Sequence, residues 1–141
     1  MYACQSDGCA PIVRAFERGE PHAEPFPDPE TVASGLRVPQ AVGDFLILDA
    51  VRESGGRAIA APEAELLERM RRACSLEGLS ICPETVTCLA SLETLVKAGE
   101  IQTDERVVVF NTGAVQKYVE AMESDLPRLS RHGDIDWQSL A

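Results

Sequence analysis

Lysine is nearly missing from this chain: Lys97 and Lys117 are the only two in 141 residues. With 13 Lys and Arg against 23 Asp and Glu, the net charge is -10. That balance argues against a nucleic-acid partner, because a phosphate backbone is held by clustered basic side chains. Long apolar runs are missing too. None approaches the roughly 20 residues of a membrane span, and Met1-Tyr2-Ala3-Cys4 has neither the basic start nor the apolar length of a signal peptide. No membrane partner is expected, and the cytoplasm is the expected location. Histidine is as scarce as lysine, with His22 among prolines and His132 in a polar tail. Neither sits on an element that could hold a base within reach of a nucleophile, which argues against Ser-His or Cys-His catalysis. G-x-G-x-x-G and Walker patterns are also absent.

The five cysteines, at 4, 9, 74, 82 and 88, are an odd number, which speaks against a disulfide framework. Ligation by Cys4, Cys9, Cys82 and Cys88 would need unusually wide spacings with no histidine nearby in sequence, so no metal is expected. The thiols read as small apolar residues.

What is present is a repeated change of hydrophobic period. A chain of this length that is 45% hydrophobic supports one core burying roughly two-thirds of its unfolded surface. Its focus is Arg106 to Tyr118, RVVVFNTGAVQKY. Val107 to Phe110 form an unbroken β-branched and aromatic run, the pattern of a strand covered on both faces. Val115, Tyr118, Val119 and Met122 then recur at helical spacing. Between them, Asn111-Thr112-Gly113 would lie at the carboxyl end of a strand, where open α/β sheets bind ligands. Thr112 would offer a hydroxyl there, and Gly113 would allow close backbone approach or an unusual torsion. An ordinary capped turn is the plainer alternative.

Taken in order, Tyr2 to Gln5 predicts a strand, and Ile12, Val13 and Phe16 mark a helix ending at Arg18-Gly19. A strand so close to the first residue gives the opening a cut look. Glu20 to Glu30, with four prolines, predicts an extended surface connection. Thr31 to Leu36 predicts renewed extended structure, and Pro39 suits the start of a helix over Gln40 to Glu53. Further strands are predicted at Arg57 to Ala60 and Leu79 to Cys82. Helices are predicted from Pro62-Glu63 to Gly78, with Arg69 outside, and from Pro83 to Ala98. The expected fold is therefore α/β, three-layered, with a mostly parallel sheet between covering helices. Residues 1–122 form the folded part, and 123–141 a polar tail with Trp137 as its anchor. Most carboxylates fit solvated helix faces. Glu84, in a first helical turn after a predicted strand, should face the same sheet edge as Thr112, or merely complement the helix dipole.

Several motifs occur in a recognisable order: Cys4-Gln5 with Gly8-Cys9-Ala10-Pro11 to Phe16, Thr31 to Pro39, Glu53-Ser54-Gly55-Gly56, Glu77-Gly78 with Pro83-Glu84, and Phe110 to Gly113 with Lys117-Tyr118. Together they resemble the carboxyl-terminal half of threonine synthases, pyridoxal-phosphate enzymes of the tryptophan synthase β-like fold. Serine/threonine dehydratases share parts of the pattern. The resemblance implies part of the large α/β domain of that fold, next to a cleft for pyridoxal phosphate. It also implies that the cofactor-bearing lysine and the phosphate-gripping loop belong to a missing amino-terminal half or a complementary subunit. No catalytic residue is then expected here. Thr112 matches the family residue whose hydroxyl meets the cofactor's pyridine nitrogen, and Glu84, Ser34 and Gly35 would face the cleft. The implied chemistry is O-phosphohomoserine plus water to threonine plus phosphate, a small amino-acid substrate. This chain departs from the family after Gly113, where Ala114-Val115-Gln116 replace a stretch with a second glycine. The competing expectation is a non-catalytic binding or regulatory module on the same scaffold.

Overall fold

The computed structural model describes residues 1–122 and 137–140. The first strand, β1 (Tyr2–Ser6), leads through a tight turn into α1 (Pro11–Arg18). Proline at the first helical position presets the backbone torsion. The amides behind it would otherwise lack acceptors, and Gln5 Oε1 takes two of them, from Ile12 at 2.9 Å and Val13 at 3.1 Å. The Cys4-Gln5 pair is thus a structural joint between strand and helix. Close by, Gly8 passes under the backbone of Glu30, where an added Cβ would fall 1.8 Å from the Glu30 carbonyl oxygen.

After the proline-rich connection come α2 (Asp44–Glu53), β2 (Arg57–Ala61), α3 (Leu66–Glu77) and α4 (Pro83–Lys97). The strands pair in parallel, Tyr2 opposite Arg57 through Ser6 opposite Ala61. Alternation along them builds three layers. Ala3, Ala58 and Ala60 turn to α1 and α2, packing with Ile12, Val13 and Leu48. Cys4 and Ile59 turn to the other side, against Leu92, Leu95 and Val96 of α4. α3 lies on α4 through Leu66, Met70, Val86 and Ala90. Arg69, read from sequence as outward, pairs with Glu65 just before its own helix at 2.7 Å and with Glu93 of α4, clamping the two helices. The α/β layering expected from sequence is therefore present, with a two-stranded sheet among the described residues.

Several local expectations are corrected. Arg106 to Phe110 is extended but unpaired among the described residues, and it is neither central nor buried, with Val108 80% and Phe110 79% exposed. A strand needs a neighbour at about 4.8 Å, and here a cavity of about 340 Å³ separates the run from Met1, Tyr2 and Cys4. Leu79 to Cys82 is also not a strand. Ser80 donates instead to Gln116 Oε1 at 2.8 Å. Thr31 to Leu36 ends in a 3-10 turn over Ser34–Leu36. α2 begins at Asp44, later than Pro39 suggested, because the Pro39 carbonyl accepts the Phe26 amide at 2.9 Å. Asp44 itself accepts the Ala23 amide at 2.6 Å, tying the helix start to the proline segment. The last predicted helix is two 3-10 turns, Val115–Lys117 and Val119–Met122. Val115, Tyr118 and Ala121 meet the core at intervals of three, the 3-10 period. Trp137 is 71% exposed, so it is not the buried anchor that was expected. Most of the predicted tail, 123–136 and 141, lies outside the described residues.

Replacing Gln5 by Leu should leave two helix-terminal amides without an acceptor and cost about 1–2 kcal/mol in urea unfolding. Glu at the same position keeps an acceptor and should recover most of that loss.

Candidate functional site

The start of α4 is where the sequence-predicted site residues meet. Cys82 precedes the helix, Pro83 takes its first position, and Glu84 follows in the first turn. Glu84 Oε1 accepts two hydrogen bonds, from the Gly35 amide at 2.8 Å and from the Tyr118 hydroxyl at 2.6 Å. Gly35 comes so close that an added Cβ would lie 2.8 Å from the same oxygen. The other carboxylate oxygen, Oε2, is buried with no hydrogen-bond partner among the described residues. A buried oxygen of this kind is expensive to leave unpaired.

Charge in this cluster is well defined. Burial pushes the Glu84 carboxyl up, but the donors around it, Tyr118, its own amide, Cys82 and Gly35, together outweigh it, and the group sits below its ordinary value. Its hydrogen bond to Glu84, reinforced by burial and the carboxylate charge, pushes the Tyr118 phenol up to about 12. Near neutral pH the pair is a carboxylate accepting from an intact phenol. Ser34 is exposed, with its hydroxyl close enough to Tyr118 to lower that phenol slightly.

Thr112 joins from the other side. It is exposed, with its hydroxyl 4.0 Å from Cys82 Sγ. That sulfur is 3.2 Å from Thr85 Oγ1, which donates to Asn111 Oδ1 at 2.8 Å. The Asn111-Thr112-Gly113 stretch is thereby moored to the start of α4 without being a strand end. Gly113 needs neither a left-handed torsion nor extra room, since an added Cβ would make an ordinary contact 3.5 Å from Cys82 Sγ. The predicted set of Ser34, Gly35, Glu84 and Thr112 is thus gathered at one edge. Tyr118, Cys82 and Thr85 were missed as parts of it. Tyr118 stands in the sequence as one apolar face residue among several, and only its spacing of three from Val115 marks it as inward-turned.

The two lysines do not share this cluster. Lys97 ends α4 and lies 3.9 Å from Glu93, roughly 20 Å along the helix from Glu84 at about 1.5 Å per residue. Lys117 is exposed in its 3-10 turn. The arrangement can therefore hold a flat polar ligand by a hydroxyl and a buried carboxylate, with no amine turned toward it among the described residues.

Because the folded pKa of Tyr118 is raised, its hydrogen bond stabilises the fold fully below pH 10 and is lost as pH climbs through about 12. Glu84 contributes in the opposite sense: its stabilisation is present above pH 4.5 and lost as pH falls below that value. In a Tyr2→Phe background, tyrosinate absorbance should report the single remaining phenol at about 12. Adding Glu84→Gln should bring it down toward about 10.

Residues 1–113 match the family described as pyridoxal-phosphate dependent enzyme. The threonine synthase of Methanosarcina acetivorans is 38% identical over 117 residues, covering 83% of this chain and 29% of that protein. That of Methanocaldococcus jannaschii is 35% identical over 113 residues, covering 80% and 28%. The chain thus spans less than a third of the length of these relatives. Among solved structures, the threonine deaminase of T.th. aligns with a TM-score of 0.54 at 21% identity, covering 70% of this chain and 34% of that one. Maize serine racemase aligns at 0.59 and 14% identity, covering 86% and 37%. Those two likenesses speak for the fold. The chain belongs to the pyridoxal-phosphate dependent enzymes, and within them it is threonine synthase-like.

Proposed function

We propose that this chain supplies one wall of the cofactor cleft of a threonine synthase-like enzyme. The complete enzyme would convert O-phosphohomoserine and water into threonine and phosphate. The observation that carries the reading is the convergence of Ser34, Gly35, Glu84 and Thr112 at the start of α4, with an exposed hydroxyl on Thr112 and, among the described residues, an unpartnered buried oxygen on Glu84. Those two groups suit pyridoxal phosphate. Thr112 can meet the ring nitrogen with a neutral hydroxyl, which does not force a proton onto it as a carboxylate would. Glu84 can take a donor at Oε2 while Tyr118 and Gly35 hold its other oxygen in place. When bound, the cofactor supplies the electron sink for chemistry at the substrate's side-chain carbons.

The same residues set the limit of what these 141 amino acids do. Lys97 and Lys117 are the only lysines, and neither lies in the cluster. The lysine that carries the cofactor and the loop that grips its phosphate therefore come from an amino-terminal half or complementary subunit, and the 141 residues by themselves do not turn over substrate. The cytoplasm, where its amino-acid substrate would be made, is the proposed location. A second reading is a relative of the dehydratases, which the fold likeness to threonine deaminase favours. A non-catalytic regulatory module on the same scaffold is the third.

Combining the chain with a matching amino-terminal half of a threonine synthase should give phosphate release from O-phosphohomoserine, and Thr112→Val should lower it about ten- to a hundredfold. Ammonia release from threonine or serine in place of phosphate release would favour the dehydratase reading. Association without either reaction would favour the module. Borohydride treatment of the isolated chain with pyridoxal phosphate should leave no preferential label on Lys97 or Lys117, and saturable labelling of either would overturn the split-site proposal.

A further inference from the structure

A second group of reactive side chains lies between β1 and the middle of α4, away from the cluster just described. Cys88 and Ser91, three residues apart, share one face of α4. Cys4 of β1 lies beside both. Cys4 and Cys88 are half-buried and line the cavity of about 340 Å³ that separates β1 from Arg106 to Phe110. Leu92, Leu95 and Ile101 supply apolar wall, and Glu105 and Arg106 the charged part of the rim. Such a volume is at the small end of ligand pockets, about 300–1,000 Å³.

Three features make this pair chemically unlike the other cysteines. The hydrogen bond from Cys88 draws the Cys4 thiol down, against the opposing effect of burial, and the Ser91 hydroxyl helps, leaving it at about 7. The Cys88 thiol moves up, because it keeps the shared proton and, being buried, faces the charge on Cys4. The pair is therefore divided into a ready nucleophile and a protonated neighbour. Finally, Ser91 Oγ is fully buried with no hydrogen-bond partner among the described residues. A thiolate on Cys4 is the strong acceptor that this hydroxyl otherwise lacks. By contrast, Cys9 and Cys82 are buried, and Cys74 stands apart on α3.

We propose that Cys4 and Cys88 form a thiol–disulfide exchange site for small organic disulfides that enter this cavity. Cys4 attacks one sulfur of R–S–S–R, whose bond breaks as the Cys4–S–S–R bond forms, and the departing thiolate takes up the proton that Cys4 released. Cys88 then attacks Cys4 Sγ, and the second R–S⁻ leaves with the Cys88 proton. Two electrons and two protons pass from the dithiol to the small disulfide, giving two R–SH and a Cys4–Cys88 bond. That bond would tie β1 to α4 one helical turn beyond Glu84.

The test uses the full chain and hydroxyethyl disulfide, followed by alkylation of remaining thiols and peptide mass mapping. The expected result is a single internal disulfide joining the Cys4 and Cys88 peptides, with three of the five thiols left free. Cys88→Ser should stop the reaction at a mixed disulfide on Cys4, and Cys4→Ser should abolish it. The unmodified protein also provides a readout independent of any variant. With limiting iodoacetamide at pH 7, Cys4 should be alkylated about tenfold faster than Cys74, as a thiol drawn down to about 7 at the mouth of a cavity should be. Equal rates at Cys4 and Cys74, or mixed disulfides distributed among several cysteines, would overturn the proposal.

Discussion

One carboxylate at the start of a helix organises the candidate site. Glu84 holds the Gly35 amide and the Tyr118 hydroxyl on the same oxygen, so two segments distant in sequence are tied to the first turn of α4. Pairing an ionised acid with backbone and phenol donors in a half-buried position gives hydrogen bonds stronger than those between neutral groups. The remaining oxygen has no donor among the described residues, and this makes the cluster a receptor for a polar group as well as a structural tie.

A second acid does matching work one segment earlier. Glu63 accepts the Val32 amide at 2.6 Å and the Ser6 hydroxyl, while its own amide donates to Asp7 at 2.9 Å. Between them, Glu63 and Glu84 grip both ends of Val32 to Gly35. That stretch turns where an extended segment was expected because its end amides, Val32 and Gly35, go to side chains from two helices' beginnings, and Ala33 and Ser34 bond locally to Thr31 and Val32, rather than to a neighbouring strand. The two acids also place the exposed Ser34-Gly35 turn beside Thr112 without any regular structure in common.

Much was readable from the residues alone where the physics is local. Gly19 and Gly78 end α1 and α3 as expected, and Ala58 and Ile59 turn to opposite faces of β2, as a strand over Arg57 to Ala60 requires. The gathering of Thr112, Glu84, Ser34 and Gly35 followed from motif order, whereas the contacts that bring them together, through Tyr118 and Cys82, had no local signature. The largest misreading concerned Arg106 to Phe110. Its composition is that of a buried strand, yet burial and pairing depend on what lies alongside, and a cavity stands between it and β1.

The order of periodic segments and the helix ends by themselves determined the layered α/β scaffold, because each depends on torsions and side chains within a few residues. Tertiary structure alone decided which extended runs became strands, which oxygen of Glu84 was left without a donor, and which two of five thiols came to line one cavity. Those outcomes depend on distances between groups tens of residues apart, and such distances exist only once the layers have packed.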